Sequence, residues 1–294
     1  MSLNLDRRQF LGTSAAVALG ACSMSLSAAD VPKRPKLKIA VKYSMIGIDG
    51  DERAKLELVK KLGFQGVEID SPSGINLPAL KAACEATGIV MHGTIDSIHW
   101  NDTLSHPDAA VRAKGVEGLK SAIKDAHFFG ADTALLVPGV VKEGVATYRE
   151  CFDRSQAEVQ KLLPLAEELK VKISIETVWN NFITTPEQLI EYVDSFQSPW
   201  VAAYFDCSNM LKYGVPAATW IRKLGKRLVK FDFKGYHMKN SWCKIGEGSE
   251  DWPEVLTALA EIGYDGWATS EVGGGGEAVL KDVAERMKRV LELA

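Results

Sequence analysis

Four acidic residues, Glu176, Asp206, Asp232 and Glu271, stand at or next to the carboxyl ends of four separate apolar runs. The runs are Val171–Thr177 (VKISIET), Val201–Cys207 (VAAYFDC), Arg227–Lys234 (RLVKFDFK) and Gly266–Val272 (GWATSEV). A carboxylate at the end of a buried strand is costly unless it is paired or held against a cation. One such acid can simply cap a helix or pair with a loop lysine. Four in succession, each after a helix-length connection, point to one metal site at one end of a β/α barrel. Converging carboxylates, with water or substrate oxygens completing the shell, suit a hard divalent cation. Oxygen-only ligation favours Mn²⁺ or Mg²⁺ over zinc.

The elements that would position these acids alternate to the end of the chain. Candidate strands are Leu37–Tyr43, Gly66–Asp70, Ile89–Ile95, Ala131–Val137 and the four runs above. Between them lie helical patterns at Glu52–Leu62, Leu77–Thr87, Asp108–Phe129, Thr147–Lys170, Pro186–Phe196, Pro216–Leu224, Trp252–Ile262 and Glu277–Leu293. Gly63 and Gly263 end helices before strands, and Thr185-Pro186-Glu187 reads as a helix start. The strand runs are nearly all apolar, as parallel strands covered on both faces should be. Eight strand–helix alternations in about 250 residues match a (β/α)8 TIM barrel. A doubly wound open sheet is the alternative, but no GxGxxG follows the first strand.

In a barrel the four acids would come from strands five to eight, which are neighbours in the closed ring. Removing a proton next to a carbonyl needs a base on one face and stabilisation of the resulting oxyanion. A divalent cation supplies that stabilisation, and epimerisation adds an acid on the opposite face. Glu176 and Glu271, flanking a bound substrate, could serve as the pair. Lys234 shares the side-chain parity of Asp232, so it either holds a substrate hydroxyl or neutralises a crowded acidic site. His92 ends the apolar run Ile89-Val90-Met91, where it is either a substrate contact or a satisfied rim histidine. His99 is a weaker candidate, and His127 lies in a helical stretch. Trp179 and Trp242 fall in loops after strands five and seven, where indole faces could stack on a sugar or simply pack. Gly273–Gly276 reads either as a phosphate cradle or as a hinge.

These segments, taken in order, resemble the xylose-isomerase-like sugar isomerases and epimerases, of the ketose 3-epimerase and hydroxypyruvate isomerase type. The resemblance is carried by Ile175-Glu176-Thr177 with Trp179-Asn180-Asn181, by Phe205-Asp206-Cys207-Ser208-Asn209, and by Val229-Lys230-Phe231-Asp232-Phe233-Lys234. Lys244-Ile245-Gly246-Glu247-Gly248 through Trp252, and Gly263-Tyr264-Asp265-Gly266 through Glu271, complete it. It covers residues 37–294 and is strongest from 171 onward. The resemblance implies that Glu176 and Glu271 bind the metal and shuttle the proton, with Asp206 as a third ligand and Asn209 as its partner. Asp232 stands where the family commonly has histidine, which makes the site more anionic and harder.

The implied activity is a divalent-metal-dependent isomerase or epimerase of an unphosphorylated sugar or keto-sugar. A lyase or dehydratase acting on a keto-sugar or keto-inositol shares its first step. A non-catalytic sugar-binding barrel keeps the same parts without turnover. The barrel endonuclease branch calls for a histidine-rich multi-zinc site, which five histidines and a net charge of −3 do not supply. The same charge offers no footprint for nucleic acid.

With 46% hydrophobic and 25% charged residues, the composition is that of an ordinary globular protein. Residues 1–30 read differently: Arg7-Arg8-Gln9-Phe10-Leu11 and the mildly apolar stretch after it form a twin-arginine export signal. Leu19-Gly20-Ala21-Cys22 resembles a lipobox, which would leave Cys22 lipidated, whereas Ser27-Ala28-Ala29 resembles a cleavage site. The expectation is therefore a periplasmic protein or a membrane-anchored lipoprotein, with residues 31–36 as a tether. A homo-oligomer is compatible with this reading. Cys84, Cys151, Cys207 and Cys243 are widely spaced and read as free thiols, mostly buried.

Overall fold

The structure, a computed structural model, describes residues 34–239 and 241–293. The twin-arginine segment, Cys22 and the small-residue cleavage motif lie outside the described residues. Eight parallel strands close into a barrel: β1 (Lys38–Lys42), β2 (Gly66–Ser71), β3 (Val90–Asp96), β4 (Thr133–Leu136), β5 (Lys172–Glu176), β6 (Val201–Asp206), β7 (Leu228–Phe233) and β8 (Trp267–Ser270). Closure is made by β1 on β8, with Ile39 beside Ala268 and Val41 beside Ser270. The chain is therefore a (β/α)8 barrel, as the alternation of apolar runs predicts. No helix among the described residues is long and apolar enough to cross a membrane.

The outer ring is α1 (Glu52–Leu62), α2 (Leu77–Thr87), α3 (Ala109–Phe129), α4 (Tyr148–Gln160), α5 (Leu163–Leu169), α6 (Pro186–Asp194), α7 (Cys207–Met210), α8 (Ala217–Leu224), α9 (Trp252–Glu261) and α10 (Glu277–Val290). Asp51, Asn76 and Asp108 cap α1, α2 and α3 by accepting from backbone N–H groups one turn on. The single helix expected over 147–170 is two helices. Pro164, the second residue of α5, lacks the N–H that would continue the ladder from α4, so the ladder breaks there. Cys84, Cys151 and Cys207 are buried free thiols, and Cys243 is half-buried.

Side chains alternate across each strand, so every second residue enters the lumen. On β1, β2, β6, β7 and β8 the inward set includes Lys42, Glu68, Tyr204, Asp206, Lys230, Asp232 and Thr269, all buried. The lumen is thus strongly polar, and apolar packing sits mainly between strands and helices, where Val41, Ile69, Ile175, Phe205 and Phe231 are buried. Room for Glu68 depends on Gly93 of β3: a Cβ there would stand 2.5 Å from Glu68 Oε1. The glycine run after β8 has a similar reason. Gly275 exchanges backbone hydrogen bonds with Met45 and Gly47, and a Cβ on Gly274 would meet Met45 O at 2.4 Å. Close backbone approach to the β1 loop accounts for Gly274, whereas a Cβ on Gly273 would meet nothing within 4 Å.

Candidate active site

Strand register brings the four acids together. Asp206 and Asp232 are paired positions on β6 and β7, Thr269 pairs with Asp232, and Glu271 follows two residues above Thr269. Glu176 closes β5 beside Tyr204. One carboxylate oxygen from each of the four lies within 4.8 Å of the others. Glu176, Asp206 and Asp232 are buried, and Glu271 is the most open of the set.

Each acid is held differently. Asp206 is the N-cap of α7: its Oδ1 accepts from the N–H groups of Ser208 (2.8 Å) and Asn209 (2.9 Å). Its Oδ2 receives the Lys234 ammonium at 2.5 Å, and the same ammonium reaches Glu271 Oε2 at 2.6 Å. Asp232 Oδ1 accepts from the N–H of Phe233 (2.9 Å). Lys42 Nζ stands 2.9 Å from Asp232 Oδ2, yet the angle is not that of a hydrogen bond, and this fully buried oxygen has no donor. Lys42 donates instead to Glu68 Oε2 (2.9 Å), which also accepts from the Tyr204 hydroxyl (2.8 Å). A single buried ammonium therefore sits between two buried carboxylates, and it offsets the charge that Asp232 adds to the cluster.

Proton affinities diverge across the site. Burial and the neighbouring Glu271 carboxylate push Glu176 well above the usual carboxylate range. Burial likewise pushes Asp232 up to about 8, against the pull of Lys42. Burial acts on Glu271 too, but Lys234 and Lys42 together hold it below its ordinary value. Burial opposes the charge of Lys234, yet Asp206 and Glu271 hold it protonated. Four carboxylates with one oxygen each within 4.8 Å of the others, in an all-oxygen donor set, fit a single hard divalent cation. Among the described residues this is the one group of side chains with that geometry.

The other expected residues separate into two groups. Glu176, Glu271, Asn209, Lys234, Trp179 and Trp242 line one cleft of about 240 Å³ above the cluster, whereas Asp206 and Asp232 lie beneath it. The two indoles stack at 4.8 Å, and Trp179 Nε1 donates to Asn209 O (2.6 Å), which fixes the pair at the rim. Trp242 is presented by a two-residue hairpin in which Tyr236 pairs with it. His92 does not line the cleft. It is third in the seven-residue strand β3 and so sits a layer below the rim, stacked on Trp267 at 4.6 Å with Lys230 and Thr269 at its ring nitrogens. Its place at the cleft is taken by His99, whose Nδ1 accepts from the N–H of Val137 (3.3 Å) and whose pKa burial lowers to about 4. Lys42 and Trp100 also line the cleft and are absent from the expected set. Lys42 has a readable signal, a charge at the end of the apolar run Ile39-Ala40-Val41, like that of the four acids.

Comparison with known proteins places these features. The pattern of the xylose isomerase-like TIM barrel family matches residues 56–290. An uncharacterized protein of Methanocaldococcus jannaschii is 30% identical over 191 residues, covering 62% of this chain and 64% of that protein. The L-ribulose-5-phosphate 3-epimerase of Escherichia coli K12 is 25% identical over 226 residues, 72% of this chain and 78% of the enzyme. Two solved structures share the fold. A D-allulose 3-epimerase from Methylomonas sp. superposes with a TM-score of 0.73 at 21% identity, covering 88% of this chain and 99% of that one. The 3-keto-D-glucoside 4-epimerase of E. coli gives 0.75 at 15% identity, with 88% and 100% covered.

Proposed function

The chain belongs to the xylose isomerase-like TIM barrel family, and on that premise we propose that it is a divalent-metal-dependent isomerase or epimerase of an unphosphorylated sugar or keto-sugar. One observation carries the reading. Of the four clustered acids, the two glutamates face the cleft, and their surroundings drive their proton affinities apart. Paired groups pushed in opposite directions are the mark of an acid and a base acting at one centre. Glu271, kept ionised by Lys234 and Lys42, takes the proton from the carbon beside the substrate carbonyl. Glu176, across the cleft from Glu271, exchanges the proton on the opposite face.

Glu176, Asp206, Asp232 and Glu271 would hold the cation, with Mn²⁺ or Mg²⁺ favoured by their oxygen donors. When bound, it supplies stabilisation of the negative charge that develops on the carbonyl oxygen. Lys234 bridges Asp206 and Glu271, and Asn209 is fixed by donating to Thr177 O (3.0 Å), leaving its Oδ1 towards Lys234. The stacked indoles offer an apolar face for sugar C–H groups. The relatives' names support the chemistry: 3-epimerisation of a 2-ketose and 4-epimerisation of a 3-keto sugar both invert a carbon beside a carbonyl. The lining supports an unphosphorylated substrate. The cleft's lysines, Lys42 and Lys234, are both already paired with carboxylates, and it has no arginine to grip a phosphate. Export by the twin-arginine route belongs to the same proposal and rests on Arg7-Arg8.

The test is proton NMR in D₂O with Mn²⁺- and Mg²⁺-supplemented protein and a panel of ketopentoses and ketohexoses. The proposal expects C–H to C–D exchange beside the carbonyl with epimer formation, abolished in both Glu176→Gln and Glu271→Gln. Full activity in the two variants would remove the acid/base assignment.

A further inference from the structure

One buried titratable group at the cleft, His99, lies outside the acid cluster. It is 5% exposed, borders the same space as Glu176 and Glu271, and comes from the turn that follows β3. That turn is fixed at several points. Ser97 N–H donates to Ser71 O (2.9 Å) at the end of β2, Ile98 N–H to Asp96 Oδ1 (3.3 Å), and His99 N–H to Asp96 O (3.4 Å). Ile98 seats the turn on α3, where a Cβ on Gly118 would stand 2.4 Å from its Cδ1. Trp100 meets the imidazole edge-on, with ring centroids 5.6 Å apart.

The bond from the loop after β4 decides which nitrogen carries the proton. A backbone N–H can only donate, so Nδ1, which accepts from Val137 N–H (3.3 Å), is unprotonated. An imidazolium has a proton on each nitrogen and could not make this bond. The ring is therefore neutral, in agreement with a pKa that burial lowers to about 4, and its one proton is on Nε2. Among the described residues nothing accepts from Nε2. Glu271 spends its ion pair on Lys234, and none joins it to the ring. The donor and the base thus border one cleft without closing on each other, which leaves the space between them to a substrate. A neutral N–H polarises an oxygen there without adding a cation to the acid cluster, and in a buried cleft such a donor counts for more than in water.

We infer that His99 is a further catalytic residue: its Nε2–H donates a hydrogen bond to the substrate carbonyl oxygen while Glu271 takes the proton from the neighbouring carbon. The C–H electron pair moves towards that oxygen, and His99 stabilises the charge there without releasing its own proton. The inference rests on the reading of the cleft as a sugar site.

Two substitutions separate the two ring nitrogens. His99→Asn keeps an acceptor near the Nδ1 position and removes the Nε2 donor; His99→Gln places an amide N–H near the Nε2 position and gives up the bond from Val137. Exchange of D-allulose and L-ribulose protons is followed by proton NMR in D₂O with Mg²⁺-loaded full-length protein, alongside thermal unfolding. His99→Asn should lower kcat about 10²-fold, the loss expected for one oxyanion donor, with KM within about threefold and Tm within about 2 °C of wild type. His99→Gln should keep at least about a tenth of wild-type kcat despite the lost tether. Nitrogen NMR of histidine-labelled protein should show His99 as the Nε2–H tautomer, with its Nε2 resonance moved by saturating ketose. Wild-type turnover in His99→Asn, a ring protonated on Nδ1, or a resonance that ketose leaves in place overturns the role of His99 while leaving Glu176 and Glu271 as the pair. Should His99→Asn fail to fold, the wild-type spectrum alone decides. Exchange of neither ketose by the wild type overturns the sugar-site reading and the role of His99 with it.

Discussion

Replacing Lys42 with methionine tests the buried charge balance on which the acid cluster depends. The ammonium is 3% exposed and lies 2.9 Å from both Glu68 Oε2 and Asp232 Oδ2. Methionine conserves most of the volume, so packing changes little. What changes is that two buried carboxylates lose their shared counter-charge. Removing one partner of a buried ion pair costs about 3–5 kcal/mol. At about 2–4 °C per kcal/mol for a chain of this size, the melting temperature should fall by about 6–20 °C. The assay is urea and thermal unfolding of chelator-treated protein at pH 7, for Lys42→Met, Glu68→Gln and the double variant. The double variant should lose less than the sum of the single changes, by roughly 0.5–3 kcal/mol, because the second change removes a charge that the first leaves stranded. A loss under about 1 kcal/mol, or strict additivity, would refute the view that Lys42 balances the site.

Three further outcomes follow from the same geometry. Asp232, pushed up to about 8, and Glu176, also raised, must give up protons to bind a metal, so apparent Mn²⁺ affinity should climb about tenfold per pH unit for each proton displaced between pH 6 and 8; flat affinity over that range, read with a fluorescent chelator, would contradict the shifts. Without metal the sign reverses for stability. A carboxyl raised in the folded state favours folding while protonated, so the metal-free protein should lose stability as pH rises from about 4 through about 8, and added Mn²⁺ should oppose the loss. Lys234→Met removes the ammonium that bridges Asp206 and Glu271, so metal should bind at least tenfold more tightly while turnover falls; weaker metal binding would show that Lys234 organises the acids rather than competing for them.

The fold was legible because each parallel strand leaves a short apolar run and each helix a cap. The structure trims those runs by only a few residues, for example Lys38–Lys42 within Leu37–Tyr43. The four acids were legible for a sharper reason: a carboxylate ending an apolar strand contradicts its surroundings unless something binds it. Lys42 obeys the same rule with the opposite charge, so it does not stand out among metal-ligating acids. The position of His92 was not legible, since Thr94-Ile95-Asp96 extends β3 past the apolar run and lowers the histidine into the lumen. The loop after β3 carries no periodic pattern, so Trp100, which it brings to the cleft, has no signature in one sequence.

Metal analysis bears most directly on the central claim, that Glu176, Asp206, Asp232 and Glu271 form one divalent-cation site. Full-length protein purified without a chelating tag would be measured by inductively coupled plasma mass spectrometry, with Asp206→Ala and Asp232→Ala alongside and circular dichroism confirming the fold of each. The account predicts about one manganese or magnesium per chain in the wild type, from four carboxylates sharing one ion, and loss of it in both variants. A folded wild type that binds neither ion, even after incubation with excess Mn²⁺, would mean that Lys42 and Lys234 alone balance the four acids and that this barrel does its work without a metal.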